Sequence, residues 1–270
     1  MRLAIPVFLP EGRITDVELR IPTPGVLSDV GRSADTGSNY VAMQILIAGS
    51  IETCTDEKGD VSRPDRSRAK VIVGRMSLQT AWQIALEVAK LIKGDGKISG
   101  AYECPECHNI VRAQKTKDVD LRDDLSDFEV SYKEDEEKGI AISIDEPVQI
   151  EREGNREVLS SVSRFVFSTP TLADYIKVNA RGVEEYRELF HVMLETLLEV
   201  DGQPVEAKWK TRYGLLTMER IPYVKMRELS ASFQRYGIRT RVTRHCPKCG
   251  SDFEARINAE GFFASALRQD

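Results

Sequence analysis

Two Cys-x-x-Cys knuckles, Cys104-Pro105-Glu106-Cys107 and Cys246-Pro247-Lys248-Cys249, carry the side chains best suited to chemistry in this chain. Two thiolates on a tight turn can face one cation, because the two intervening residues close the knuckle. Backbone N–H groups of such a turn can donate to the sulfurs, and Pro105 and Pro247 stiffen both turns at the same place. One knuckle supplies two ligands and a closed structural zinc site needs four. The pair therefore points to one structural zinc held by Cys104, Cys107, Cys246 and Cys249. A redox pair needs a low-pKa thiolate at a helix N-terminus, whereas extended segments flank both knuckles here. Two separate metal sites would need further ligands. His108 and His245 adjoin the knuckles and could serve, yet neither half offers a fourth.

No other constellation stands beside this one. The chain has no Gly-rich phosphate loop, no nucleophile–histidine–acid motif and no His-Glu-x-x-His helix. A site closed by four thiolates leaves no position open for water, so neither enzymatic activity nor a catalytic or cofactor-binding residue is expected. Cys54 reads as a small apolar residue ending a helix. His191 reads as a packed or interface histidine within an apolar helix.

The elements that must position the knuckles read as an internal duplication. Leu3–Leu9 and Val17–Ile21 lead to Thr23-Pro24 and Asp29. Ile140–Ile144 and Arg164–Phe167 lead to Thr169-Pro170 and Asp174. Apolar periodicity then predicts helices over Tyr40–Thr53 and over Tyr186–Leu198, each closed by a glycine turn, Asp56–Asp60 and Asp201–Pro204. Arg75-Met76-Ser77 and Arg220-Ile221-Pro222 each introduce a second helix, with Gly94 and Gly237 as its stops. Strands Ile98–Glu103 and Ile238–His245 deliver the knuckles. Arg63–Arg68 reads as a loop.

The expected fold is therefore α+β: a duplicated strand, helix, helix and half-zinc-ribbon unit, its halves joined by the shared four-cysteine zinc. Residues 1–114 form the first repeat, 115–138 an acidic linker, and 139–270 the second repeat with an apolar tail. Gly261–Leu267, with Phe262-Phe263, either folds back on the core or enters a partner's groove.

The 270 residues are 41% hydrophobic and 30% charged, as in globular proteins. The formal net charge of −5 gives no general electrostatic reason to bind nucleic acid. Locally, Arg235, Arg239, Arg241, Arg244, Lys248 and Arg256 cluster with Phe233, Tyr236 and Phe253. Such a set could contact phosphate and stack bases, or dock an acidic protein. Met1–Val7 is too short and Pro-interrupted for a signal peptide, and no apolar run reaches a membrane span. Cytoplasmic synthesis without membrane insertion is expected.

The knuckle His245–Gly250, then Phe253-Glu254-Ala255-Arg256-Ile257 and the terminal Phe262-Phe263, resembles the zinc-ribbon ends of phage tail and baseplate proteins. The opening Val17–Thr23 is similar to the strand-and-loop starts of the same group. The family resembled is the baseplate hub family of T-even-like contractile tails and related contractile injection systems. That resemblance implies a non-enzymatic baseplate component or assembly factor, in a virion tail or injection particle. Its partners would be other baseplate, tube or spike proteins. Ligand roles carry over to the four knuckle cysteines alone. The duplication and the acidic linker depart from the family's simpler pattern.

Overall fold

The computed structural model describes residues 1–93, 97–98, 101–112, 119–120, 139–152, 155–183, 185–235 and 241–256. The Gly94 and Gly237 stops, most of the acidic linker and the Phe262-Phe263 tail lie outside them.

β1 (Arg2–Leu9) and β2 (Gly12–Leu19) form an antiparallel hairpin. Its pairing slips between Arg2 and Val7, where Pro6 has no N–H to give a ladder. The edge strand is tied instead by Thr80, whose hydroxyl accepts from the Ile5 N–H and donates to its carbonyl, both at 3.1 Å. α1 (Pro24–Asp35) follows, with Thr23 as its cap and proline in its first turn. α2 (Asn39–Ser50) packs against it so closely that Gly49 leaves no room for a Cβ beside Val26.

The chain then leaves the helix earlier than its periodicity suggests. Ile51 is already extended, and β3 (Ile51–Asp56) pairs with β2 and with β4 (Val61–Ser62). The helix expected over Tyr40–Thr53 therefore ends at Ser50, and Cys54 sits fully buried inside a strand rather than at a helix end. The β-branched residues of Ile51-Glu52-Thr53-Cys54-Thr55 favour the pleated sheet. Asp56–Asp60 is a hairpin turn, in which the Asp56 carboxylate accepts from the N–H groups of Lys58 and Asp60. The loop expected over Arg63–Arg68 is overturned at its end. Asp65 accepts from the Arg68 N–H and starts α3 (Arg66–Gly74). Met76 is buried, and Ser77 accepts from the Thr80 N–H at the head of α4 (Leu78–Lys93). β5 (Lys97–Ile98) pairs with β8 (Val119–Asp120), and β6 (Ala101–Glu103) with β7 (Ile110–Arg112).

The same order of elements returns further along. β9 (Ile140–Arg152) and β10 (Asn155–Phe167) form a longer hairpin. α5 (Leu172–Asn179) opens on a reciprocal capping box between Thr171 and Asp174. α6 (Glu185–Thr196) gives way to β11 (Leu197–Val200), so Leu197 and Leu198 belong to a strand and not to the expected helix. β11 pairs with β10 and with β12 (Gln203–Pro204) through the turn at Asp201 and Gly202. α7 (Ala207–Trp209) runs through a π-helical turn, Lys210–Gly214, into α8 (Leu215–Arg220). Ile221 is buried, and α9 (Tyr223–Arg235) follows. β13 (Arg241–His245) and β14 (Asp252–Arg256) pair around the second knuckle.

Among the described residues, the two large sheets share one antiparallel order, β1-β2-β3-β4 and β9-β10-β11-β12. The chain divides into two compact units. Met1–Ser131 and Gly237–Asp270 make one, and Tyr132–Tyr236 the other. Both knuckles therefore belong to the first unit. Its core includes Val7, Val17, Met43, Leu46, Ile47, Ile72 and Ile84, and that of the second includes Ile142, Phe165, Phe167, Met193 and Leu229.

Candidate metal centre

Each knuckle is the turn of a short antiparallel ribbon, β6–β7 or β13–β14. Their backbones close identically. Cys104 N–H donates to the Asn109 carbonyl and His108 N–H to the Cys104 carbonyl, both at 2.9 Å. Cys246 N–H donates to the Ser251 carbonyl and Gly250 N–H to the Cys246 carbonyl, again at 2.9 Å. The residue after the second cysteine must be left-handed in both turns. It is His108 at φ 54° in the first and Gly250 at φ 75° in the second, where glycine carries no steric penalty.

The two turns bring all four sulfurs within 4.8 Å of one another. Cys104 Sγ lies 3.7 Å from Cys249 Sγ, and Cys107 Sγ 3.6 Å from Cys246 Sγ. All four cysteines are free thiols. A tetrahedral ion with bonds of about 2.3 Å to sulfur sets its ligands about 3.8 Å apart. The observed separations fit such a tetrahedron, so the four cysteines are placed to hold one metal ion. Among the described residues this is the one cluster of potential ligands so arranged. His108 and His245 are not part of it. Each pairs with a carboxylate on its own ribbon, Nδ1 of His108 with Glu103 at 2.8 Å and Nδ1 of His245 with Asp252 at 2.9 Å.

The electrostatics call for a cation. A hydrogen bond with Ser251 leads in bringing the Cys104 thiol down to about 6; burial opposes it, and the N–H groups of Cys107 and Glu106 reinforce it. Cys246 is also held below the ordinary thiol value, first by the Cys249 N–H, against burial. At Cys107 the Asn109 N–H pulls downward, but burial and the neighbouring thiols of Cys249, Cys246 and Cys104 prevail and push it up to about 12. Four thiolates this close repel one another, and only a shared positive charge allows all four to ionise.

Side chains complete the site. Cys104, Cys246 and Phe253 are buried together, with Tyr102, Cys107 and Val111 packed against them. Phe253 is 7% exposed, so the ribbon core takes the ring that the sequence offered for base stacking. The Arg244 guanidinium lies 5.2 Å from the Tyr102 ring centroid. Lys248 is exposed, while Tyr236 and Arg239 of the same basic cluster lie outside the described residues. Two residues that sequence reasoning missed, Asn109 and Ser251, touch the sulfurs. The Asn109 side chain donates to Cys246 Sγ at 3.9 Å, and the Ser251 hydroxyl is 2.9 Å from Cys249 Sγ and 3.4 Å from Cys104 Sγ. Their signal was positional, because each stands two residues after the last cysteine of its knuckle.

Cys54 is remote in character from this group. Burial pushes its thiol up to about 11, which makes it inert. His191, on α6, is half-buried, and burial followed by Arg187 and Arg181 holds it below its ordinary value. No protein family, curated protein or solved structure matches the chain. Among the described residues no helix is long and apolar enough to cross a membrane.

Proposed function

We propose that Cys104, Cys107, Cys246 and Cys249 hold one structural zinc ion, and that the chain is a non-enzymatic component or assembly factor of a contractile-tail baseplate. The observation that carries this reading is the closed set of four thiols, drawn from two turns in which Cys104 and Cys249 stand 145 positions apart. Four thiolates fill a tetrahedral ion and leave it no place for water, so the metal acts as a fold element. Zinc suits an all-thiolate tetrahedron and imposes no geometry of its own. Bound, it supplies a fixed positive charge that keeps two distant stretches of chain together. That property suits a rigid hub or wedge-linking adaptor in a large assembly.

The repeated hairpin, helix pair, strand pair and ribbon supports descent from an internal duplication. In that account each copy brings half of the zinc site. The baseplate assignment rests on the resemblance at His245–Ile257 and Val17–Thr23, and its partners are tube, spike and other baseplate proteins of a virion or injection particle.

Two experiments test the proposal. Purified protein carries one zinc per chain, and Cys104→Ser or Cys246→Ser alone abolishes it; two zincs, or retention after either change, refute the shared site. Tagged protein purified from its own source with nuclease present brings down sheath, tube and spike proteins, and tail-like particles appear in negative stain. A free monomer whose partners vanish with nuclease overturns the baseplate reading in favour of nucleic-acid binding.

A further inference from the structure

Outside the four cysteines, the polar contacts to sulfur run in a pattern that the ligands alone do not require. Asn109 and Ser251 occupy the same place in their knuckles, and the backbone carbonyl of each is pinned by the first cysteine N–H of its own turn. Each side chain then reaches a sulfur of the opposite knuckle. Asn109 donates to Cys246, and the Ser251 hydroxyl lies against Cys104. Cys104 and Cys246 are the two fully buried sulfur ligands, whereas Cys107 is half-buried and Cys249 exposed. Water can solvate an exposed thiolate but not a buried one. A buried thiolate therefore depends on donors from the protein to stabilise its charge. Ser251 is also 2.9 Å from Cys249, so one hydroxyl stands between a buried ligand and the exposed one.

We propose that Ser251 and Asn109 are positioning residues that fix metal retention and the reactivity of the site, each through hydrogen bonding to the thiolate of the other knuckle. The proposal rests on the four-thiolate metal site argued above. A donor to a coordinated thiolate draws off electron density and makes that sulfur a poorer target for protons and electrophiles. It also ties the two turns to each other directly, independently of the ion. Ser251 is the stronger member, since its hydroxyl lies at shorter range and its one proton can be given to Cys104 or to Cys249. Asn109 acts on one, at the outer limit of a hydrogen bond to sulfur.

The full-length chain is loaded with Zn²⁺ or, as a spectroscopic probe, with Co²⁺. Ser251→Ala weakens zinc retention about tenfold in competition with a chromophoric chelator, as the loss of a hydrogen-bond partner to a metal ligand does. Ser251→Thr restores it, and Asn109→Ala causes a smaller loss. In the cobalt form, Ser251→Ala moves the sulfur-to-metal charge-transfer band to lower energy, because the thiolates become more electron-rich. A purely structural role for the hydroxyl leaves that band where it is. Wild-type retention together with an unmoved band in Ser251→Ala overturns the inference while leaving the metal site intact. Wild-type protein that takes up neither ion overturns the metal site, and this inference with it.

Discussion

Removing the metal should open the paired ribbons and leave the rest of each unit folded. The apolar contribution at the ribbons is small: among the described residues Phe253 is the one large side chain buried there, with Tyr102 and Val111 partly covered. Burying a phenylalanine stabilises by about 2–3 kcal/mol, and Arg244 over Tyr102 adds about 0.5–1 kcal/mol. Bringing together points 145 residues apart costs about 4 kcal/mol in a flexible chain. Folded elements between them shorten the effective loop, which makes this an upper figure. Ordering the ribbon backbone adds a further entropy cost, offset only in part by its own ladder hydrogen bonds. The apolar contacts do not offset these terms, whereas a structural zinc contributes on the order of 10 kcal/mol. Hydrogen exchange read by mass spectrometry, before and after chelation, checks this. Amides of residues 101–112 and 241–256 should lose protection, while α2, α4 and the β10–β11 pairing keep theirs. Ribbon protection that survives metal removal would refute the reasoning, and so would collapse of protection throughout the chain.

Gly49→Ala should destabilise the first unit by about 1–3 kcal/mol, since its Cβ would fall 2.6 Å from Val26 Cγ1. Val26→Ala in the same chain should recover part of the loss, measured as a double-mutant cycle in urea. At Glu195, burial raises the carboxyl pKa, but Lys177 and Arg181 outweigh it and hold the group below its ordinary 4.5. A depressed carboxylate stabilises above its unfolded pKa and loses that contribution as pH falls through the folded one. Wild type should therefore exceed Glu195→Gln by about 1–2 kcal/mol at neutral pH, with the gap closing below pH 4.5 in denaturant titrations. Alkylation with iodoacetamide at pH 8 should spare Cys54 in the native chain even after chelation, because its thiol is pushed up to about 11. The exposed Cys249 should be modified once metal is removed, and labelling of native Cys54 at the same rate would contradict its burial.

The knuckles and the strand ends that deliver them, Ala101–Glu103 and Arg241–His245, were legible in the sequence because their information is local, whereas Ile98 belongs to a separate strand paired with β8. Cys-x-x-Cys with proline at the second place specifies a turn with two inward thiols, and alternating short strands must flank it. Met76 and Ile221, read at matching points ahead of a helix, are both buried where α4 and α9 begin. Other boundaries were not. Ile51 and Leu197 continue a helical apolar pattern, yet both start strands, because the neighbouring β2 and β10 offer ladders that only the tertiary fold supplies. α1 and α5 were not among the expected helices; each is opened by a capping threonine, Thr23 and Thr171. Which sulfurs face one another, and that Asn109 and Ser251 reach across to the opposite knuckle, depended on how two turns far apart in the chain are packed. Spacing along a chain determines which ligands a turn can offer; the distances between turns arise only when the chain folds back on itself.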